Sequence, residues 1–113
     1  MKHAIALAAI VLVTACASPA PNAPHSPVER GQAMAAQNCS GCHAIGRSGD
    51  SPAPQAPPFR TLSQNYPLEA LEEAFAEGIS VGHAAMPEFA FAPDDVNALV
   101  AYLQSIQDPP TRE

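Results

Sequence analysis

The sequence predicts an all-α domain of three main helices, and three observations carry that expectation. Segments 27–37, 67–77 and 93–107 each open on a proline, which suits the first turn of a helix. In the second and third of these, apolar residues recur at helical spacing. No β-rich run follows the central motif, Cys39-Ser40-Gly41-Cys42-His43. A chain of 113 residues is long enough for one domain.

The first helix is announced by Ser26-Pro27-Val28-Glu29, an S-x-x-E capping box with proline at the first helical position. Gly31 lies in the helix interior, where it costs about 1 kcal/mol against alanine. A small residue retained at that cost marks the close crossing of another helix. Met34, one turn on, reads as a core residue rather than a ligand.

The helix runs directly into the motif. Its spacing, C-x-x-C-H, is that of covalent attachment to a c-type haem. Two cysteines three positions apart face one side of a helical turn, so both thiols reach the vinyl edges of one porphyrin. His43 then carries its ring under the metal. A thioredoxin-like redox pair also uses C-x-x-C, but within a βαβ pattern that is absent from this sequence. A structural zinc site needs four ligands, and no second C-x-x-C or H-x-x-x-H joins Cys39, Cys42, His43 and His83.

After the motif, Gly46, Gly49, Pro52, Pro54, Pro57 and Pro58 forbid long regular structure over 44–58. Such a loop can wrap a porphyrin edge. A ligating histidine commonly donates its second ring N–H to a carbonyl, and Pro57 is the best-placed source. The alternative is that these prolines only stiffen a turn. Arg60 reads either as a fork donor to haem propionates or as an ordinary surface arginine. Tyr66 is a further propionate candidate.

The second helix places Leu68, Leu71, Ala74 and Phe75 on one face and stops at Gly78. Glu69, Glu72, Glu73 and Glu77 form its outer strip, a solvated face in preference to a docking surface for a basic partner. Segment 79–91 lacks helical periodicity and holds Met86-Pro87. A methionine so placed is a candidate sixth ligand, opposite His43; core packing and an open iron are the alternatives, and His83 is the rival ligand. In the last helix Asp94 and Asp95 suit the positive end of the dipole. Val96, Leu99, Val100, Leu103 and Ile106 face inward, and Pro109 and Pro110 end it.

The chain begins with a short positive start and an apolar run over 4–13, too short to span a bilayer and suited to a secretory signal. Val13-Thr14-Ala15-Cys16 is similar to a bacterial lipobox, which implies cleavage before Cys16 and lipidation of its thiol. Ordinary cleavage near Ala17 and an unmodified thiol are the alternatives. Segment 18–27 is rich in proline and alanine and reads as an extended tether in which His25 is solvated. The net charge is −6, and beyond Lys2 the cations are Arg30, Arg47, Arg60 and Arg112. That sign disfavours nucleic acid.

Taken together, Gly31, Met34, Asn38, the C-S-G-C-H motif, Pro57-x-Phe59, Met86-Pro87 and Ala101-Tyr102-Leu103 resemble the class I cytochromes c, most closely the small bacterial single-haem domains. The resemblance implies a small cytochrome c-like fold in which three main helices wrap one covalent haem c and the terminal helices cross at Gly31. Cys39 and Cys42 would form the thioethers, His43 the proximal bond and Met86 the distal bond. Pro57, Phe59 and Arg60 would line the cofactor. Two positions depart from the family pattern: Ala35 replaces an aromatic, so the crossing must pack differently, with Tyr102 a candidate to fill it, and Ala92 replaces the usual Ser or Thr cap.

The organisation expected is a signal peptide of lipoprotein type over 1–15, a linker over 16–27, the haem domain over 28–108 and a short tail over 109–113. The expected function is one-electron transfer in a bacterial respiratory or periplasmic chain, not enzymatic catalysis. Expected partners are a redox donor and an acceptor docking at an apolar haem edge, plus a membrane reached through Cys16. The alternatives are a haem-bearing subunit of a larger dehydrogenase or oxidase and a small-ligand-binding haem protein, either peroxidase or gas sensor.

Overall fold

Ser26 starts the first helix by exchanging bonds with Glu29. Its hydroxyl accepts from the Glu29 amide at 3.3 Å, and the Glu29 carboxylate accepts from the Ser26 amide at 2.8 Å. The computed structural model describes residues 26–78 and 85–110. The expected leader, Cys16, His25, His83 and the last three residues lie outside them. Helix α1 spans Pro27–Asn38, α2 Ala70–Glu77 and α3 Pro93–Ser105. No strand occurs among the described residues, so the architecture is all-α. Ser26 and Pro27 are the cap and first turn of α1, as the S-x-x-E pattern announces.

Helices α1 and α3 form the frame. A Cβ built on Gly31 would lie 2.0 Å from the Ala98 carbonyl oxygen and 2.7 Å from Tyr102 Cβ, so only glycine admits this crossing. Arg30 pairs with Asp95 across the same two helices. That pair is partly exposed and contributes at most about 1 kcal/mol. All five inward residues expected on the last helix are buried, and Ala98 and Tyr102 join them because they meet α1. The helix stops at Ser105, two residues before the expected end, since the Ile106 amide turns back to Leu103 O at 3.3 Å.

Two local features differ from expectation. Residues 67–69 are not yet α-helical: Ala70, Leu71 and Glu72 donate three residues back, to Pro67, Leu68 and Glu69, at 3.0–3.1 Å. This tighter winding swings Leu68 into the core at 7 % exposure before α2 begins. The second is an unforeseen 3₁₀ helix over Phe59–Gln64. Pro58 has no amide to continue a helix backwards, and its carbonyl accepts from both the amide and hydroxyl of Thr61. The three-residue repeat points Phe59 and Leu62 together into the core.

That core comprises Ala35, Phe59, Leu62, Leu68, Leu99, Tyr102, Leu103 and Ile106. Leu99 and Leu103 are the largest side chains in it that are wholly enclosed. Helix α2 ends on Gly78, whose φ of +80° glycine adopts without strain. The chain returns beside it: the Phe91 amide donates to Phe75 O at 2.9 Å, and the Phe89 and Phe91 rings stack at 5.4 Å.

Tyr102 ties the frame to the loop after the motif, its hydroxyl donating to Ile45 O at 2.8 Å. Burial raises the pKa of this phenol above 10.0, opposed by the nearby Arg47 charge. The sign follows: a folded pKa above the unfolded one gives stability that is complete below pH ~10 and falls as pH rises through the folded value. Tyr102→Phe should cost about 1 kcal/mol at neutral pH and flatten the alkaline loss. Urea melts at pH 7 and 10.5 check both.

Candidate functional site

The C-terminus of α1 delivers the motif. Cys39 and Ser40 amides both return to Ala35 O, at 2.9 and 3.1 Å, and Cys42 and His43 amides both return to Cys39 O, at 3.1 and 2.9 Å. The backbone thus makes a further turn, with the Ser40 hydroxyl closing on Ala36 O at 2.6 Å. Cys39 is half-buried against the core and Cys42 is exposed, and neither is in a disulfide. Burial pushes the Cys39 thiol up to about 11. No other part of the chain lies within 4 Å of a Cβ built on Gly41.

The following loop is pinned back onto the motif at three points. Ala53 N donates to Cys42 O at 3.0 Å, Ala44 N to the Ser51 hydroxyl at 3.0 Å, and Phe59 N to Ala44 O at 2.9 Å. These bonds bring Pro57 under His43, whose Nδ1 lies 2.8 Å from Pro57 O. A carbonyl only accepts, so Nδ1 carries the proton and Nε2 keeps its lone pair. The Phe59 ring packs against the imidazole at 5.0 Å, tilted by 46°.

The other residues singled out from sequence have mixed placements. Arg60 donates from one terminal nitrogen to Gly49 O at 2.7 Å, and its Nε lies 3.5 Å from the Asp108 carboxylate. It therefore braces the loop against the chain end. Tyr66 is 48 % exposed, and Met34 is half-buried. Met86 is half-buried at a bend in the segment tied to α2 through Phe91. Ser51 and the Tyr102 hydroxyl escaped the sequence reading as loop anchors. A lone serine among prolines has no periodic signal, and Tyr102 finds Ile45 only after the helices cross.

Among the described residues, no three His, Cys, Asp or Glu side chains gather closely enough to hold a metal ion. Cys39, Cys42 and His43 therefore make no compact tetrahedral set. They fit a larger planar group: two thiols along one helix end, one imidazole with Nδ1 engaged, and apolar Ile45, Leu71, Phe75 and Phe91 only half-covered by polypeptide. A haem would match that set: the two thiols would form its thioethers, Nε2 of His43 would be available to iron, and the apolar side chains would face the macrocycle.

The model of the family described as Cytochrome c matches residues 28–107. No curated protein and no solved structure matches the chain.

Proposed function

The chain belongs to the cytochrome c family and carries covalent haem c on Cys39 and Cys42, and from that premise we propose a one-electron carrier whose axial ligands are His43 and Met86. The observation that supports this most strongly is the 2.8 Å approach of His43 Nδ1 to Pro57 O, which reserves Nε2 for iron. When bound, haem supplies a reversible one-electron iron couple. The chain's own residues orient the ring and hold the Nδ1 proton. With His43 and the Met86 thioether both holding iron, no coordination position would be left for substrate.

A pyridine haemochrome assay with oxidised and reduced visible spectra tests this directly. Haem c attached through two thioethers and a far-red ferric band from methionine–iron ligation are expected. Met86→Ala should abolish that band and lower the reduction potential by on the order of 0.1–0.3 V, within the range that axial ligation spans. A far-red band that survives in this variant would assign the sixth position elsewhere.

The protein is proposed to act outside the cytoplasm. The family is usually exported, and the leader-like start followed by Cys16 supports a lipid anchor. Among the described residues no helix is long and apolar enough to cross a membrane. Partners are a donor and an acceptor protein approaching an apolar edge near Ile45, Met86 and Phe89. Labelling with a radioactive fatty acid, in wild type and Cys16→Ser, tests the anchor.

A further inference from the structure

We propose that Gln107 is a positioning residue for His43, acting through the backbone of 57–59. The proposal rests on the axial role of His43 given above. Gln107 follows α3 and uses its whole amide group. Nε2 donates to Phe59 O at 2.8 Å and to Leu103 O at 2.7 Å, and Oε1 accepts from the Ser63 amide at 2.9 Å. A side chain that only closed its own helix would need Leu103 O alone. This one also grips both ends of the 3₁₀ helix, more than 40 positions away in sequence.

The same short stretch is held from the other side by the motif. Phe59 N donates to Ala44 O, the Phe59 ring packs on His43, and Pro57 O takes the Nδ1 proton. Asp108 reinforces the grip, its amide donating to Arg60 O at 2.7 Å while its carboxylate faces the Arg60 guanidinium. Asp108 lies one residue past the stretch that the family model matches. The frame thus closes on itself: α1 carries the motif, α3 crosses α1 at Gly31, and Gln107 returns from α3 to the Phe59 carbonyl, two residues past the Pro57 carbonyl that orients the imidazole. Such a partner bond raises the basicity of a ligating histidine. Whatever fixes Phe59 therefore sets the length of the Pro57 contact and the electron donation of His43.

The test uses the haem-loaded protein with Gln107→Leu and Gln107→Glu. The first removes all three bonds; the second keeps an acceptor for Ser63 but offers Phe59 O no donor. Two properties are read: the reduction potential and exchange of the His43 Nδ1 proton, followed through its shifted ferric NMR resonance. Both variants should raise the potential, because weaker donation favours the ferrous state. Exchange should quicken by about tenfold, the factor for one lost hydrogen bond. Folded variants with unchanged potential and exchange would reduce Gln107 to a helix cap and overturn the proposal.

A second measurement needs no variant. In wild-type protein the Ser63 amide and the His43 ring proton should exchange through one opening, with the same denaturant dependence; separate dependences would overturn the link. A wild-type ferric protein lacking any iron-bound imidazole resonance would remove the axial role and this proposal together. Normal ligation with an insensitive potential would remove the proposal alone.

Discussion

With Cys39→Ser and Cys42→Ser, the chain is expected to lose its covalent haem, most of its helical circular dichroism and its cooperative melting transition. The helices are 12, 8 and 13 residues long, at or below the roughly 12–15 residues at which isolated helices become even marginal in water. They must therefore be held by packing, and the polypeptide supplies little. Helix α2 buries none of its residues, and Leu71 and Phe75 reach the core only in part. A macrocycle held against these faces would add the apolar contact that the chain lacks. Near-native helix content with cooperative melting in the haem-free variant would show that the protein core suffices.

Gly31→Ala is expected to destabilise the haem-loaded protein by about 3 kcal/mol or more, lowering its melting temperature by roughly 10–20 °C. Helix propensity alone predicts the opposite sign, since alanine in an exposed helix gains about 1 kcal/mol over glycine. The crossing decides, because the new methyl would stand 2.0 Å from the Ala98 carbonyl oxygen and a backbone atom cannot rotate aside. Gly41→Ala is the control: no atom lies within 4 Å of its built Cβ, and a change within about 0.5 kcal/mol is expected. Equal melting temperatures for the two variants would remove the argument that the crossing selects glycine.

Particular residues show how far the sequence could be read. Ser26 and Glu29 cap a helix because their partners lie three positions away, so the pattern is local and visible. The inward face of α3 is visible for the same reason, its period being that of the helix. The 3₁₀ helix over Phe59–Gln64 was not. Two prolines before it suppress a longer helix, and a six-residue element leaves no periodic trace. The early turn at 67–69 was hidden likewise, for proline is compatible with either winding. Arg60 was equally open on sequence; only folding brings Gly49 and Asp108 to it.

The sequence by itself determined the cofactor chemistry, because thioether attachment demands two thiols and an imidazole within five consecutive residues. It also determined the helical class and the small residue at the crossing. Pro57 had two readings on sequence; only the tertiary structure decided that its carbonyl meets His43 Nδ1, set the Phe59 ring against the imidazole, and brought Ser51, Tyr102 and Gln107 to the segment that follows the motif. Hydrogen bonds over such separations depend on where the helices cross, and that angle is set by packing at Gly31, which no local pattern encodes.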